Sequence, residues 1–240
     1  SADLATTGRL CFPADPHSDA DCAAARQETF ALREDDWMFT HGVALDPVLL
    51  GQRPAAASPL LERLFAAVPD ADLALMHTGG SLLCLNIYNG SRVHAGADGA
   101  PAYVLRARGA RQTALGWPVT PEVMEWGPRF LAERYALPVV ITENGCACSD
   151  YTALDGGVHD PDRIDFLTRY LAALRRAAEA GVDLRGYFHW SLTDNFEWHS
   201  GYAARFGLFY VDYDTLARLP KDSAAFYAKI IAANGGALPR

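Results

Sequence analysis

An apolar run that stops on an acid constrains this chain more than any other feature. Val139, Val140, Ile141 and Thr142 are all β-formers, and Glu143-Asn144-Gly145 follows at once. The clearest helical pattern comes next, over residues 162–180. There Ile164, Leu167, Leu171, Leu174 and Ala178 recur at steps of three and four, and Gly181 supplies the stop. A second β-run, rich in aromatics, occupies 184–192. Strand, helix, strand in this rhythm implies parallel pairing through helical crossovers. Upstream, the same rhythm predicts strands at 8–12 and 82–88 and helices at 19–40, 58–67 and 120–135. Ser58-Pro59 and Thr120-Pro121 read as helix starts. Residues 94–118, rich in Ala, Gly and Arg, read as loop. The expectation is an α/β chain with four strands.

In a parallel α/β sheet or barrel, functional side chains gather where strands finish. Glu143 follows strand 138–142, Asn86 and Tyr88 end strand 82–88, and Glu197 lies just beyond the strand that ends at 192. A single strand-end acid is more often a cap or turn residue, and Asn144-Gly145 has turn chemistry. Three strands with the same habit favour function. In residues 187–209 the aromatics Tyr187, Phe188, His189, Trp190, Phe196, Trp198 and Tyr202 are interleaved with Asp194, Asn195 and Glu197. An aromatic stripe is usually core. Rings placed beside acids and amides after a strand instead suit a sugar, whose C–H faces stack while its hydroxyls need donors and acceptors.

Bulk properties close off other classes. The chain has 240 residues, half of them apolar, enough for one core, so residues 1–240 are expected to form a single domain. A net charge of −8 without a basic run argues against nucleic acid. No apolar run approaches the ~20 residues of a membrane span, and the N-terminus lacks a signal-peptide pattern. Five cysteines without metal spacing read as reduced thiols of a cytoplasmic protein; Cys146 and Cys148 stand too close for a zinc knuckle. No metal or organic cofactor is expected.

The segments "ITENG" (141–145), "VHDPDRIDFLTRYL" (158–171) and "GYFHWSLTDNFEWHSGYAARFGLFYVDYDTLARLPKDSAAFY" (186–227) resemble glycoside hydrolase family 1, the β-glucosidase family. Weaker similarity at 21–54 and 83–93 extends the resemblance over nearly the whole chain. It implies a TIM-type (β/α)8 barrel, here only its C-terminal half with strands five to eight, the fifth starting at "GRLCFPAD". It also implies hydrolysis of β-glucosides or related sugars with retention. On this resemblance Glu143 is the nucleophile and Tyr88 hydrogen-bonds and tunes it. Asn86 shapes the site, Trp190 forms the platform under the sugar, Glu197 and Trp198 bind hydroxyls, and Phe206 lines the pocket. Asp160, Arg163 and Asp194 are implied to be structural, and Glu125 and Glu133 read as a solvated helix face. A retaining glycosidase needs two carboxyls about 5–5.5 Å apart.

The sequence departs from the family in several places. The T-x-N-E-P motif that carries the acid/base is absent, Ile87 replaces the first Tyr of N-Y-Y, "GGSLLCLNIY" lacks the usual Asp-Phe, and "FPADP" lacks Leu-Asn. A half-barrel would also leave edge strands and an open face, for which three covers are the expected alternatives: a complementary N-terminal half-barrel, self-association, or the remainder of a longer enzyme of which this chain is a fragment. A competing expectation is a catalytically silent carbohydrate-binding half-barrel.

Overall fold

The computed structural model describes residues 3–55, 58–236 and 238. In chain order, β1 (Ala5–Thr6) and β2 (Cys11–Pro13) lead into α1 (Asp19–Phe30), α2 (His41–Leu45) with a π-turn at Asp46–Leu50, α3 (Pro59–Ala66) and α4 (Asp70–Met76). Then come β3 (Leu83–Asn86), β4 (Ser91–Ala95), β5 (Pro101–Tyr103), α5 (Val123–Tyr135), β6 (Val139–Asn144), α6 (Pro161–Glu179) and β7 (Leu184–His189). The hairpin of β8 (Phe209–Val211) and β9 (Arg218–Pro220) and helix α7 (Asp222–Ala232) complete the order. One sheet runs β1-β3-β6-β7, parallel throughout and in chain order. That is the winding of a partial (β/α) barrel, with the four strands that the sequence implies.

The first of these strands is displaced from its expected place. Residues 11 and 12 of the predicted 8–12 strand belong to β2 in a separate sheet, β2-β4-β5, and the barrel strand is β1. Gly8 marks the departure: a Cβ there would stand 2.8 Å from the backbone nitrogen of His41, so the chain swings out against the start of α2. Helix 19–40 stops at Phe30. Arg9 donates from Nε to the Glu28 carbonyl at 3.2 Å and from Nη2 to the Ala31 carbonyl, drawing the last turn into an extended exit. The stretch expected to be loop, 94–118, contains the end of β4 and all of β5. These two pair in antiparallel fashion, a tertiary outcome that periodicity does not carry.

Alternation along the sheet separates two faces. Leu83, Leu85, Val139 and Ile141 are fully buried against the helices, whereas Cys84, Asn86, Val140 and Thr142 are only partly covered on the opposite, concave face. Helix α6 covers β6 and β7 with Phe166, Leu167, Tyr170, Leu171 and Leu174. Its buried face is turned slightly from the expected seam: Ile164 and Ala178 lie at its margins while Arg163 and Ala177 are sealed. Each large apolar side chain so buried stabilises the fold by about 1.5–3 kcal/mol. Among the described residues, no helix is long and apolar enough to cross a membrane.

Arg163 is sealed because it belongs to a buried ionic lattice. It donates to Asp150 at 2.7 Å and to Asp160, while Lys221 bridges Asp150 at 2.6 Å and Asp194 at 2.8 Å, and Arg205 meets Asp194 at 2.6 Å. Three cations thus face three anions across the loops after β6 and β7, the start of α6 and the end of β9. Ser223 at the head of α7 adds donors to Asp160 from its backbone nitrogen (2.9 Å) and hydroxyl (2.5 Å). The structural part expected of Asp160, Arg163 and Asp194 is this lattice. Removing one member strands a buried charge. Lys221→Met is therefore expected to destabilise the chain by about 3–5 kcal/mol, read as a lowered urea midpoint with an unchanged slope.

Candidate active site

The carboxylate at 143 is aimed by an irregularity in β6. Leu85 pairs with Ile141, but Asn86 pairs with Glu143, so two residues of β6 oppose one of β3. Such a bulge breaks the up-down alternation and re-aims a side chain. Thr142 and Glu143 consequently both reach partners from the end of β3. Thr142 donates its hydroxyl to Asn86 Oδ1 at 2.7 Å, and Tyr88 donates its phenol to Glu143 Oε2 at 2.5 Å. Burial first, and then the adjacent Glu143 carboxylate, push the Tyr88 phenol well above its ordinary value, which keeps it a donor.

Asn144, read from sequence as a turn residue, is a buried clamp. Its amide donates to the Ile87 carbonyl at 2.7 Å and its Oδ1 accepts from Tyr187 at 2.8 Å, tying β3, β6 and β7 together behind the acid. Gly145 next to it is required by close approach: a Cβ would lie 1.9 Å from the Trp190 carbonyl oxygen. That contact brings the end of β7 against the loop after β6. The Trp190-Ser191 peptide there is cis.

An aromatic wall stands around Tyr88. Its ring meets Trp117 edge-on at 5.4 Å and Phe206 at 6.3 Å, and Trp117 and Phe206 lie 5.9 Å apart. Phe206 is buried with Ala147 and Ala204, and Trp190 packs against the same cluster. A concavity of about 500 Å³ lined by Thr7, Asn86, Tyr88, Gly90 and Trp117 flanks this wall. Trp117 went unnoticed in the sequence because it stands in an irregular segment, next to Pro118. Tyr187 reads from the sequence only as one aromatic among several and Asn144 only as a turn residue, because nothing in their spacing announces a contact across three strands.

The other candidates divide. Glu197 sits partly buried after β7. Burial raises its carboxyl above the ordinary range, the Trp190 side chain opposes that, and the Glu143 charge adds to it. Glu143, Trp190 and Glu197 therefore share one electrostatic neighbourhood. Trp198 is 79% exposed on a short 3-10 turn, Trp198–Ser200, and no hydrogen bond or ring contact joins it to that group among the described residues. Glu125 and Glu133, on α5, pair with Arg176 (2.6 Å) and Arg26 (2.7 Å) on the outer surface. No group of three metal-ligating side chains occurs among the described residues.

His189, at the end of β7, is held neutral. Its Nδ1 is sealed without a hydrogen-bond partner, and burial, helped by the Arg163 charge, pushes its imidazole down to about 3. Its contribution to stability is therefore whole above about pH 6.5, the ordinary imidazole value, and is lost as the pH falls toward 3. Unfolding free energy should fall by up to about 1.4 kcal/mol per pH unit on this account. His189→Phe should flatten that slope by one proton in urea titrations between pH 6 and pH 4.

Comparison with known proteins places this arrangement. The chain is 39% identical over 193 residues to Beta-glucosidase A of Thermotoga maritima, covering 80% of this chain and 43% of that protein. It is 40% identical over 210 residues to a Bifunctional beta-D-glucosidase/beta-D-fucosidase of Bifidobacterium breve, covering 79% and 46%. The solved family 1 β-glucosidase of Thermotoga maritima in complex with isofagomine lactam superposes with a TM-score of 0.76 at 34% identity, covering 97% of this chain and 51% of that one. The chain thus spans about half the length of the relatives it matches, and its fold is the corresponding part of their barrel. The pattern described as Glycosyl hydrolase family 1 matches residues 4–236, and the chain belongs to that family.

Proposed function

We propose that residues 1–240 act as one glycosidase-type unit that carries the nucleophile half of a retaining β-glycosidase. The observation that carries this reading is the 2.5 Å hydrogen bond from Tyr88 to Glu143 at adjoining strand ends. In the proposed reaction the free oxygen of Glu143 attacks the anomeric carbon of a β-glucoside or related sugar, and the aglycone oxygen departs with the bonding electrons. Water then displaces Glu143 from the glycosyl-enzyme with a second inversion, giving net retention. Tyr88 fixes the attacking carboxylate through a charge-assisted hydrogen bond. Asn86 shapes the floor, Trp190 supplies the face for sugar C–H groups, and Glu197 and Trp198 receive hydroxyls above it, with Phe206 behind.

Protonation of the leaving group needs a second carboxyl. Residues 1–240 contain no T-x-N-E-P motif. We place that acid on a complementary half-barrel that would also cover the concave face, where Phe188 stands 61% exposed. An activated 2-fluoro-β-glucoside, whose leaving group needs no acid, tests the nucleophile by itself. The expected result is a glycosyl adduct on Glu143, found by peptide mass mapping. Glu143→Gln should abolish it, and Tyr88→Phe should slow it by about tenfold, the loss of one charge-assisted hydrogen bond. An adduct elsewhere would overturn the assignment of Glu143, and none with sugar still bound by tryptophan fluorescence would replace this reading with a purely carbohydrate-binding one.

A further inference from the structure

Two residues past Glu143-Asn144 the chain carries Cys146-Ala147-Cys148, a motif that the proposed chemistry does not use. The two thiols are directed at each other, Sγ to Sγ, at 3.6 Å. All five cysteines are free, and these two differ from the rest in their surroundings. Burial raises the thiols of Cys11, Cys22 and Cys84. Cys146 is raised as well, by its contact with Cys148 and then by burial, whereas the Cys148 thiol is lowered, first by its hydrogen bond with Cys146 and, against burial, by the Arg163 guanidinium. Both thiols line a concavity of about 430 Å³ with Thr113, Ala114, Asp150 and His159, and Cys148, half-buried, is the more open of the two to a small molecule from outside. Cys146 is buried in the main core.

We propose that Cys146 and Cys148 are a redox modification site, a dithiol that small-molecule disulfides such as glutathione disulfide oxidise reversibly to an intrachain disulfide. Cys148 is the entry point. Its thiolate attacks one sulfur of the small disulfide, the S–S bond breaks, and one glutathione thiolate leaves. Cys146 then attacks Cys148 Sγ, the second glutathione leaves, and the Cys146 proton ends on it. The protein's two thiols give up two electrons and one glutathione disulfide is reduced to two glutathione molecules. Closure must draw the sulfurs from 3.6 Å to about 2.05 Å.

The residue that absorbs this movement is Ala147. Its carbonyl accepts from Ala114 at 2.9 Å and its side chain belongs to the cluster of Phe206, Tyr88, Trp117 and Trp190. Thiol state therefore reaches the aromatic wall directly. Its effect on sugar chemistry rests on the proposed function; formation of the disulfide does not.

The test is peptide mass mapping of the folded chain after equilibration with glutathione disulfide at neutral pH, without any sugar. The peptide containing residues 146 and 148 should lose two hydrogens, regain them with dithiothreitol, and leave Cys11, Cys22 and Cys84 unmodified. Cys146→Ser should instead accumulate a glutathione adduct on Cys148. Cys148→Ser should slow any modification of that peptide by about tenfold or more, since thiolate character sets the rate. Tryptophan emission should shift on oxidation of the native chain and stay constant in Cys148→Ser. Modification of another cysteine first, or reaction of this pair only after urea unfolding, would overturn the proposal. An unchanged emission spectrum in the oxidised chain would overturn its link to the aromatic wall. If Cys146→Ser does not fold, the native peptide map and Cys148→Ser still decide.

Discussion

The rest of the molecule depends on a lattice of six buried charges. Asp150, Asp160 and Asp194 alternate with Arg163, Arg205 and Lys221, and all but Arg205 are essentially sealed from water. Desolvating so many charges is costly, and equal numbers of each sign with short contacts are what offset it. The lattice fixes four pieces of chain that share no secondary structure: the loop after β6, the first turn of α6, the aromatic loop after β7 and the end of the β8-β9 hairpin. Asp194 shows how far this goes. Besides Lys221 and Arg205 it accepts from the backbone nitrogen of Gly207 at 2.9 Å, beside Phe206 of the aromatic wall. An apolar cluster of equal volume would hold these loops together without dictating their register. Directional ion pairs do both.

On that frame two short-range constraints set the site. The register break between Ile141 and Glu143 turns the acid toward Tyr88, and the absent side chain of Gly145 lets the Trp190 carbonyl press against it. Both act within a few residues of Asn144, which bonds to β3 and β7 at once. Glu143 lies within β6, and Tyr88 and Trp190 lie two residues and one residue past the ends of β3 and β7, so the sheet fixes all three closely. The Cys146–Cys148 pair lies on the same loop, one residue beyond Gly145, with Ala147 against the wall.

How much of this was legible beforehand differs by residue. Glu143 and Tyr88 were readable as neighbours because polar residues at strand ends are exceptional against an apolar run, with the short motif at 141–145 around one and the weaker similarity at 83–93 around the other. Asp160, Arg163 and Asp194 were readable as structural through the same motifs, though not as one lattice, since Lys221 and Asp150 gave no local signal. Helix 19–40 was read too long because Arg9, ten residues upstream of it, captures the carbonyls that end it at Phe30. The strand at 8–12 was misplaced because an apolar run does not say which sheet it joins, and only the approach of His41 to Gly8 diverts it. Trp117 was missed because an aromatic in an irregular segment has no period to betray its neighbours.

By itself the sequence determined the parallel α/β winding, the helical crossovers and the identity of the acid at 143. Periodicity and strand-end chemistry are local properties of the chain. Only the tertiary structure decided which way that acid points, which rings surround Tyr88, how six charges neutralise one another, and that two thiols face each other at 3.6 Å. Most of those are contacts between residues tens of positions apart or across a bulge, and even the local thiol pair is set by the loop path that packing imposes.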